Sequence, residues 1–183
     1  METTIKADLY RYGGLSGKKG FFKVLFISGF RYTYLLRKAY KRRKYSFMWI
    51  IYNLLLRKYS FKYGFQIPSR TQIGEGFFIS HFGNVVIHPE AKIGKNFNIS
   101  PSTTIGKANR GDRKGYPTIS DNVWIGTGSV IVGNIQIGNN VLIAPCSYVN
   151  FDIPCNSIVL GNPAKIIEKE NATEGYINYI LNE

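Results

Sequence analysis

The sequence is short of the residues that build metal centres and disulfide frameworks. It holds only two histidines, His81 and His88, and two cysteines, Cys146 and Cys155, in 183 residues. Two cysteines this close together do not make a disulfide scaffold, so we expect reduced thiols that pack inside the protein. Cys146 has no histidine beside it in the sequence, which disfavours a role as nucleophile. Two histidines are too few for a three-histidine metal site, so no metal is expected.

Acidic residues are missing from a long N-terminal stretch, because none occurs between Asp8 and Glu75. Residues 1–74 carry sixteen Lys and Arg against two acids, a net charge of +14, whereas the remainder carries −1. Residues 21–63 lack proline and are rich in Leu, Lys and Arg, a pattern that predicts helix. The longest uncharged run of this segment has twelve residues, and a membrane span needs about 20. We therefore expect no transmembrane helix there, and the polar N-terminus indicates no signal peptide.

Three interpretations of this basic segment compete. It can be a helical cap whose charges are solvated. It can also make a peripheral membrane contact through residues 21–63, because Lys and Arg mixed with aromatic residues suit anionic lipid headgroups. Nucleic-acid binding is disfavoured, since the segment has no known reader motif. The sequence leaves the first two interpretations open.

The second half of the chain has a repeat of six residues. Thirteen aliphatic residues form one ladder, whose rungs are Ile67, Ile73, Ile79, Ile87, Ile93, Ile99, Ile105, Ile119, Ile125, Ile131, Ile137, Ile143 and Val149. A fixed period of six is the signature of a β-helix, in which three hexads make one coil and the rungs stack into an apolar column. Thirteen rungs predict a little over four coils. Glycine and asparagine between the rungs are expected to supply the positive φ angles of tight corners.

The ladder has two breaks, and a regular solenoid has few other places for chemistry. The step from Ile79 to Ile87 is eight residues long and contains His81. A neutral imidazole in such a bulged corner can take a proton from a hydroxyl group. The step from Ile105 to Ile119 is fourteen residues long and contains four Lys or Arg in a glycine-containing loop. This loop is either a solvated excursion or a cationic wall beside a site for an anion.

Three stretches of this sequence resemble the hexapeptide-repeat acyltransferases. They are GFQIPSRTQIGEGFFISHFGNVVIHPEAKIG, ISDNVWIGTGSVIVGNIQIGNNVLIAPCSYV and GNPAKI, and together they cover roughly residues 64–167. The branch they resemble most contains serine acetyltransferases and O-acetyltransferases of bacterial surface polysaccharides. The resemblance implies a left-handed parallel β-helix, an all-β solenoid. It also implies a homotrimer with acetyl-CoA bound between neighbouring solenoids.

The expected organisation has three parts. Residues 1–63 form a basic, aromatic helical segment, residues 64–167 the hexapeptide-repeat β-helix, and residues 168–183 a C-terminal tail with a short helix. The resemblance assigns His81 as general base and leaves His88 as a structural residue. The positions matching the acyl-donor groove are Ala108, Gly126, Thr127, Gly128, Pro145 and Lys165.

The acceptor side departs from the serine acetyltransferases. Gln66 stands where they carry an aspartate that orients the base, and Ser80 stands where an acidic residue precedes it. Tyr116 stands where they have a second histidine before a proline. An amide can fix an imidazole tautomer, but it supplies no charge to stabilise an imidazolium. Arg113 and Tyr116 are the residues we expect to contact the acceptor.

The expected function is transfer of an acetyl group from acetyl-CoA to a hydroxyl group. The favoured acceptor is a sugar in a surface-polysaccharide precursor, which places the protein in the cytoplasm, with a peripheral location at the inner face of the membrane as one option. The first alternative is serine acetylation for cysteine synthesis, which Gln66 and Tyr116 disfavour. A non-catalytic binding or scaffolding solenoid is another. A zinc hydratase like the γ-class carbonic anhydrases is disfavoured because it needs three histidines.

Overall fold

The chain forms a parallel β-solenoid of about five coils, with a layer of helices at its N-terminal end. This computed structural model describes residues 2–181. The helices are α1 (Thr3–Tyr10), α2 (Gly17–Val24), α3 (Ser28–Tyr40) and α4 (Phe47–Tyr63). The strands are β1 (Phe65–Gln66), β2 (Gln72–Ile73), β3 (Phe78–Ile79), β4 (Val85–Ile87), β5 (Lys92–Ile93), β6 (Asn98–Ile99), β7 (Thr103–Gly106), β8 (Thr118–Ile119), β9 (Val123–Ile125), β10 (Val130–Val132), β11 (Gln136–Ile137), β12 (Val141–Ile143), β13 (Tyr148–Val149), β14 (Ser157–Gly161) and β15 (Ala164–Glu168).

The predicted solenoid and the predicted N-terminal helices are both confirmed. The helical layer begins at Thr3, which lies within the expected helical segment 1–63 but before the stretch 21–63 whose residue pattern predicted helix. Among the helices of residues 2–181, none combines the length and the apolar character that crossing a bilayer requires.

Three faces of parallel strands build the solenoid. Face A contains β1, β4, β7, β10 and β13, face B contains β2, β5, β8 and β11, and face C contains β3, β6, β9, β12 and β14. The rungs stack directly on one another, as Ile79, Ile99, Ile125 and Ile143 do along face C. All thirteen rungs are buried. The ladder is therefore the core of the solenoid, and the coils are consistent with a left-handed β-helix.

Each coil turns at three corners, which we name C–A, A–B and B–C after the faces they connect. The first break bulges from the C–A corner at residues 80–84, and the second leaves the A–B corner at residues 107–117. Neither break disturbs the strand register, because β4 pairs with β7 and β5 with β8 rung against rung. A slip by one residue would turn the rungs toward solvent. Extra residues are therefore accommodated only at corners.

The corner glycines serve two different purposes. Gly128 has a φ of +75°, as expected for a tight corner. Gly126, in contrast, does not have a positive φ angle. A Cβ atom at this position would lie 2.6 Å from the backbone nitrogen of Pro145 in the next coil. Close stacking of coils, rather than backbone conformation, therefore explains glycine at position 126.

The helical layer covers the exposed strand edges of the first coil. An uncovered edge would present unpaired carbonyl groups. On face A, the hydroxyl of Tyr32 donates to the carbonyl of Ile67 over 3.0 Å. On face B, the guanidinium of Arg37 donates to the carbonyls of Ile73 and Gly74. Both side chains come from α3, so this helix caps two faces at once.

Side chains that follow α1 cap the third face. The guanidinium of Arg11 donates to the carbonyl of Gly76 over 2.9 Å, and the hydroxyl of Tyr12 donates to that of Ile79. Burial lowers the pKa of Arg11 to about 10 and raises the pKa of Tyr12. Part of the N-terminal positive charge is thus internal to the fold and is not a solvated surface.

The predicted C-terminal helix is wrong for the residues that the structure describes. β15 pairs antiparallel with β14, and residues 169–181 then form turns and extended chain. Asn171 and Gly175 both have positive φ angles, which interrupt a helix. The amide and hydroxyl of Thr173 donate to the side-chain oxygen of Asn140, which fixes the tail along the B–C corner. Residues 182–183 lie outside the described chain.

The two cysteines do not pack in the interior, as the sequence had suggested. Cys146 and Cys155 are both exposed free thiols. Each occupies a corner, and Cys146 has a positive φ of 58°. At these two corner positions the thiol faces solvent and not the column of rungs.

Candidate active site

His81 lies at the tip of the bulge in the C–A corner of the first coil. On one side of the tip, the backbone nitrogen of Ser80 donates to the carbonyl of Ile99 over 3.3 Å. On the other side, the backbone nitrogen of Gly83 donates to the carbonyl of Tyr63 over 2.9 Å. The bulge is therefore tied to the next coil and to the end of α4. Its tip carries an exposed His81 beside Phe82, whose side chain is 72% exposed.

The same corner brings together four of the expected donor-groove residues. Gly126, Thr127 and Gly128 form the C–A corner two coils beyond His81, and Pro145 follows in the next coil. The amide of Cys146 donates to the carbonyl of Thr127, which ties these two coils together. Adjacent strands lie about 4.8 Å apart, so Thr127 is roughly 10 Å along the solenoid from the level of His81. The corner edge thus runs continuously from the candidate base past the glycines.

Lys165 reaches the same edge from the far end of the solenoid. It lies on β15, opposite Leu160 of β14. The tight turn between these strands approaches the C–A corner, because the amide of Gly161 donates to the hydroxyl of Ser147 over 3.2 Å. The exposed ammonium of Lys165 therefore extends the line formed by the glycine corner.

Ala108, Arg113 and Tyr116 lie at a different corner. The loop 107–117 folds back on itself, with Ala108 and Gly115 exchanging two backbone hydrogen bonds of 3.1 and 3.0 Å. The carbonyl of Arg113 then accepts from the amide of Asn134 in the next coil over 2.8 Å. The loop is thereby held against the A–B corner and does not approach the C–A corner of its own chain.

Arg113 forms an ion pair at the surface of this loop. Its guanidinium donates to the carboxylate of Asp152 over 2.7 Å, and both side chains are about half exposed. The amide of Gln136 also donates to that carboxylate over 2.8 Å. The Gln136 amide and, after it, Arg113 hold the pKa of Asp152 below its usual range. An exposed pair of this kind contributes little to stability, so Arg113 can exchange this partner for an anionic ligand at little cost.

His88 anchors the same loop, a contact that the sequence patterns did not reveal. Its ring stacks on that of Tyr116, with the centroids 4.4 Å apart. The ammonium of Lys107 lies 5.6 Å from the centroid of Tyr116. His88 also accepts a hydrogen bond from the amide of Glu90 over 3.2 Å. The six-residue ladder could have revealed the contact between His88 and the loop, because it places both at the same corner of successive coils.

Gln66 is not placed to orient His81 within one chain. It points outward from β1 and lines a groove of about 450 Å³ with Asn53 and Arg57 of α4 and with His88. Within residues 2–181, His81 has no hydrogen-bond partner, so the expected contact with Gln66 is not made in the isolated chain. The sequence did not predict that α4 lines this groove, where it supplies the cation Arg57.

The candidate residues are thus divided between the two ends of face A. The C–A corner carries His81, Ser80 and the glycine edge, whereas the A–B corner carries Arg113 and Tyr116. A strand of three residues spans about 10 Å, so the two groups cannot meet around one small acceptor within a chain. Across residues 2–181 the structure also brings no three potential metal ligands together.

Comparisons with known proteins give this arrangement a family. The model of the family described as bacterial transferase hexapeptide (six repeats) matches residues 116–150. A serine acetyltransferase of Staphylococcus xylosus is 33% identical over 141 residues, which is 77% of this chain and 63% of that protein. The chain therefore spans somewhat less than two thirds of the length of this relative.

Solved structures show the same similarity over more of the chain. The crystal structure of a serine acetyltransferase from Brucella abortus strain S19 superimposes with a TM-score of 0.73 and 30% identity, over 93% of this chain and 68% of that one. A structure from the same strain in complex with coenzyme A gives a TM-score of 0.72 at 28% identity, over 91% of this chain and 65% of that one. The chain therefore belongs to the hexapeptide-repeat transferase family, with serine acetyltransferases among its relatives.

Proposed function

We propose that this protein is an acetyl-CoA-dependent O-acetyltransferase with His81 as its general base. The observation that carries the proposal is the position of His81. Its exposed imidazole lies on a backbone bulge tied down at both ends, at the start of a corner edge that passes Gly126 and Gly128 two coils further on. Family membership adds the expected chemistry, because the relatives are named for acetyl transfer to serine.

The reaction needs only one proton-transfer group. Neutral His81 removes the proton of the acceptor hydroxyl as its oxygen attacks the thioester carbonyl carbon. The carbon–sulfur bond then breaks, the acceptor keeps the acetyl group, and the proton held by the imidazolium passes to the thiolate of coenzyme A. Backbone N–H groups at a corner can stabilise the oxyanion that forms between these two events.

The donor site of this proposal is the C–A edge. Acetyl-CoA is long and flexible, and the edge from His81 to Lys165 extends across the remaining coils. Gly126 and Gly128 leave space beside the backbone at one corner of this edge, and exposed Thr127 between them offers a hydroxyl and backbone groups. Lys165 is placed to meet a phosphate of the nucleotide end. The related structure that contains coenzyme A supports this class of donor.

The complete site in this proposal requires a homotrimer. One chain holds the base at its C–A corner and the loop with Arg113 and Tyr116 at its A–B corner. In a ring of three copies, the C–A corner of each solenoid meets the A–B corner of its neighbour. The loop of one copy then closes over the His81 of the next, and three equivalent sites result.

L-Serine is the acceptor that the relatives support best. Its hydroxyl would approach His81 and its carboxylate would replace Asp152 as the partner of Arg113. The sugar acceptor expected from the sequence receives no support from these comparisons. An uncharged hydroxyl compound remains a second candidate for one reason. Gln66 and Ser80 are neutral where serine acetyltransferases carry acidic residues, so neither of these two positions supplies a carboxylate for the ammonium group of serine.

A thiol-release assay separates these acceptors. Purified protein is mixed with acetyl-CoA and either L-serine or a panel of nucleotide-linked and free sugars. Release of coenzyme A with serine, together with formation of O-acetylserine, supports the first candidate, and release only with sugars supports the second. Thiol release with neither class, and no binding of coenzyme A by calorimetry, would contradict acetyl transfer altogether.

A further inference from the structure

The outer face of α4 carries an apolar stripe that nothing in the described chain covers. Only Leu56 and Tyr63 of this 17-residue helix are buried. Phe47, Leu54 and Phe61 are 76%, 62% and 80% exposed. Their spacing of seven residues returns to nearly the same side of a helix. They form a stripe about 21 Å long.

Ile50 belongs to the same stripe, because three-residue and four-residue steps lie on one helix face. It is exposed as well. The buried residues Leu56 and Tyr63 lie on the opposite side, where α4 packs against the solenoid. A helix whose apolar residues point both into the core and into solvent has two contact surfaces, and the second is unoccupied in the single chain.

The surroundings of the stripe are strongly cationic. The turn before α4 contains four consecutive exposed cations, Lys41–Lys44, and α4 itself presents Arg57, Lys58 and Lys62. Among the described residues, only Lys41 of this set forms an ion pair, with Glu2. No acidic residue occurs between Asp8 and Glu75. The surface therefore selects a partner that is acidic at its boundary and apolar beneath it.

We propose that α4 lies in the surface of an anionic lipid bilayer. A bilayer offers acyl chains to Phe47, Leu54 and Phe61 and phosphate groups to the flanking Lys and Arg residues. The helix is too short to span, so it lies parallel to the surface with its apolar stripe inserted. A second copy docked stripe to stripe about a two-fold axis would set two identical cationic surfaces face to face, which is electrostatically unfavourable.

For the second candidate acceptor, an uncharged hydroxyl compound, membrane association would hold the acetyl-transfer site near molecules that carry a lipid. This consequence rests on the proposed function, but the docking surface itself does not. His81 lies beyond the C-terminal end of α4, where the bulge is tied to Tyr63. The surface can therefore be tested without any measurement of acetyl transfer.

Vesicle sedimentation of the full-length protein tests the proposal. Vesicles of phosphatidylcholine alone are compared with vesicles of phosphatidylcholine and phosphatidylglycerol. We expect binding to the anionic vesicles, with an apparent affinity that falls as salt is added. Equal binding to both vesicle types, or binding to neither, would overturn the proposal.

Matched variants separate the apolar stripe from its charges. Leu54→Ser with Phe61→Ser should weaken binding by at least about tenfold, whereas Leu160→Ser with Ile167→Ser, at the far end of the solenoid, should not. Arg43→Gln, Lys44→Gln and Lys58→Gln should each cost about fivefold. Lys92→Gln, Lys114→Gln and Lys169→Gln are their charge-matched controls.

Lipid-free light scattering and circular dichroism complete the test. Unchanged mass and unchanged thermal unfolding of the stripe variant, together with lost vesicle binding, support the bilayer as partner. A lower mass of the same variant would instead identify α4 as an interface between copies and would overturn the proposal. If Leu54→Ser with Phe61→Ser unfolds the chain, the three charge variants and their controls decide the outcome.

Discussion

The ring of His88 stacks on the ring of Tyr116, with the centroids 4.4 Å apart and the planes inclined by 29°. This contact joins the A–B corner of the second coil to the end of the loop that leaves the third. It gives each residue a role that its position alone does not suggest. His88 anchors the loop, and Tyr116 sets the point at which the loop returns to the solenoid.

The first prediction concerns the anchoring of this loop. Tyr116→Phe keeps the aromatic ring and should leave acetyl transfer nearly unchanged. Tyr116→Ala removes the stack and frees the loop that carries Arg113, so the KM for the acceptor should rise by roughly tenfold or more. Steady-state kinetics measure the KM, and calorimetry with coenzyme A provides the control, because the donor edge lies at another corner. Equal KM values for the two variants would show that the stack does not position the loop.

The second prediction concerns the base. His81→Gln should lower kcat by about 10²- to 10⁴-fold, because glutamine cannot accept the hydroxyl proton. The dissociation constant for coenzyme A should change little, since the donor edge is built from other residues. His88→Gln is the matched control, with an effect on KM rather than on kcat. A His81→Gln variant with wild-type kcat would remove His81 from the mechanism.

The third prediction concerns the ion pair between Arg113 and Asp152. The pKa of Asp152 is lowered, so the carboxylate form is favoured in the folded state. The stabilisation that this carboxylate gives the folded state is fully present above the ordinary carboxyl pKa of about 3.9. It is lost as the pH falls through the lowered pKa of Asp152. Arg113→Gln should raise the pKa of Asp152 only part of the way, because the Gln136 amide still donates to the carboxylate.

NMR titration of the Asp152 carboxyl carbon measures that shift. Arg110→Gln removes another cation of the same loop and is the control, which should leave the pKa of Asp152 unchanged because Arg113 and the Gln136 amide remain in place. If the pKa of Asp152 is identical with and without Arg113, the pair does not form in solution. Arg113 would then be free for a ligand without having to exchange partners.

The six-residue period was sufficient to predict the core of the solenoid. Each rung is buried because a side-chain position repeated once per strand must face the same way in every coil. The prediction of a C-terminal helix was wrong because the hairpin of β14 and β15 and the hydrogen bonds from Thr173 to Asn140 fix the tail. Neither contact repeats along the chain, so no periodic pattern in the sequence reveals it. Such tertiary contacts override a short helical tendency.

The sequence predicted a set of candidate residues, but it did not predict that they divide between two corners of the solenoid. The two ladder breaks correctly identified the bulge at His81 and the loop with Arg113. The candidate residues lie at two different corners because different numbers of strands separate them along the coils. Predicting this would require knowing where every turn of the solenoid falls. That Gln66 and Arg57 of α4 line one groove depends on how the helical layer packs, and no spacing along the chain encodes it.

The charge of the N-terminal segment was also only partly predictable. Arg37 belongs to a run that the sequence assigned either to solvent or to a membrane surface. It is instead buried, and its guanidinium binds the carboxylate of Asp8 over 2.8 Å. The same carboxylate accepts from the amide of Phe77 over 2.9 Å. Burial raises the pKa of Asp8, and the charge of Arg37 opposes that effect.

The last prediction is that this pair holds the helical layer on the solenoid. Arg37→Met should lower the free energy of unfolding by about 3–5 kcal/mol, because it leaves a buried carboxylate without its cation. Lys38→Met removes only a partly exposed pair with Glu2, so its cost should be about 0–1 kcal/mol. Asp8→Asn combined with Arg37→Met should cost less than the two changes added separately. Urea unfolding measures the wild type, the three single variants and the double variant, and additive losses would show that Asp8 and Arg37 act independently.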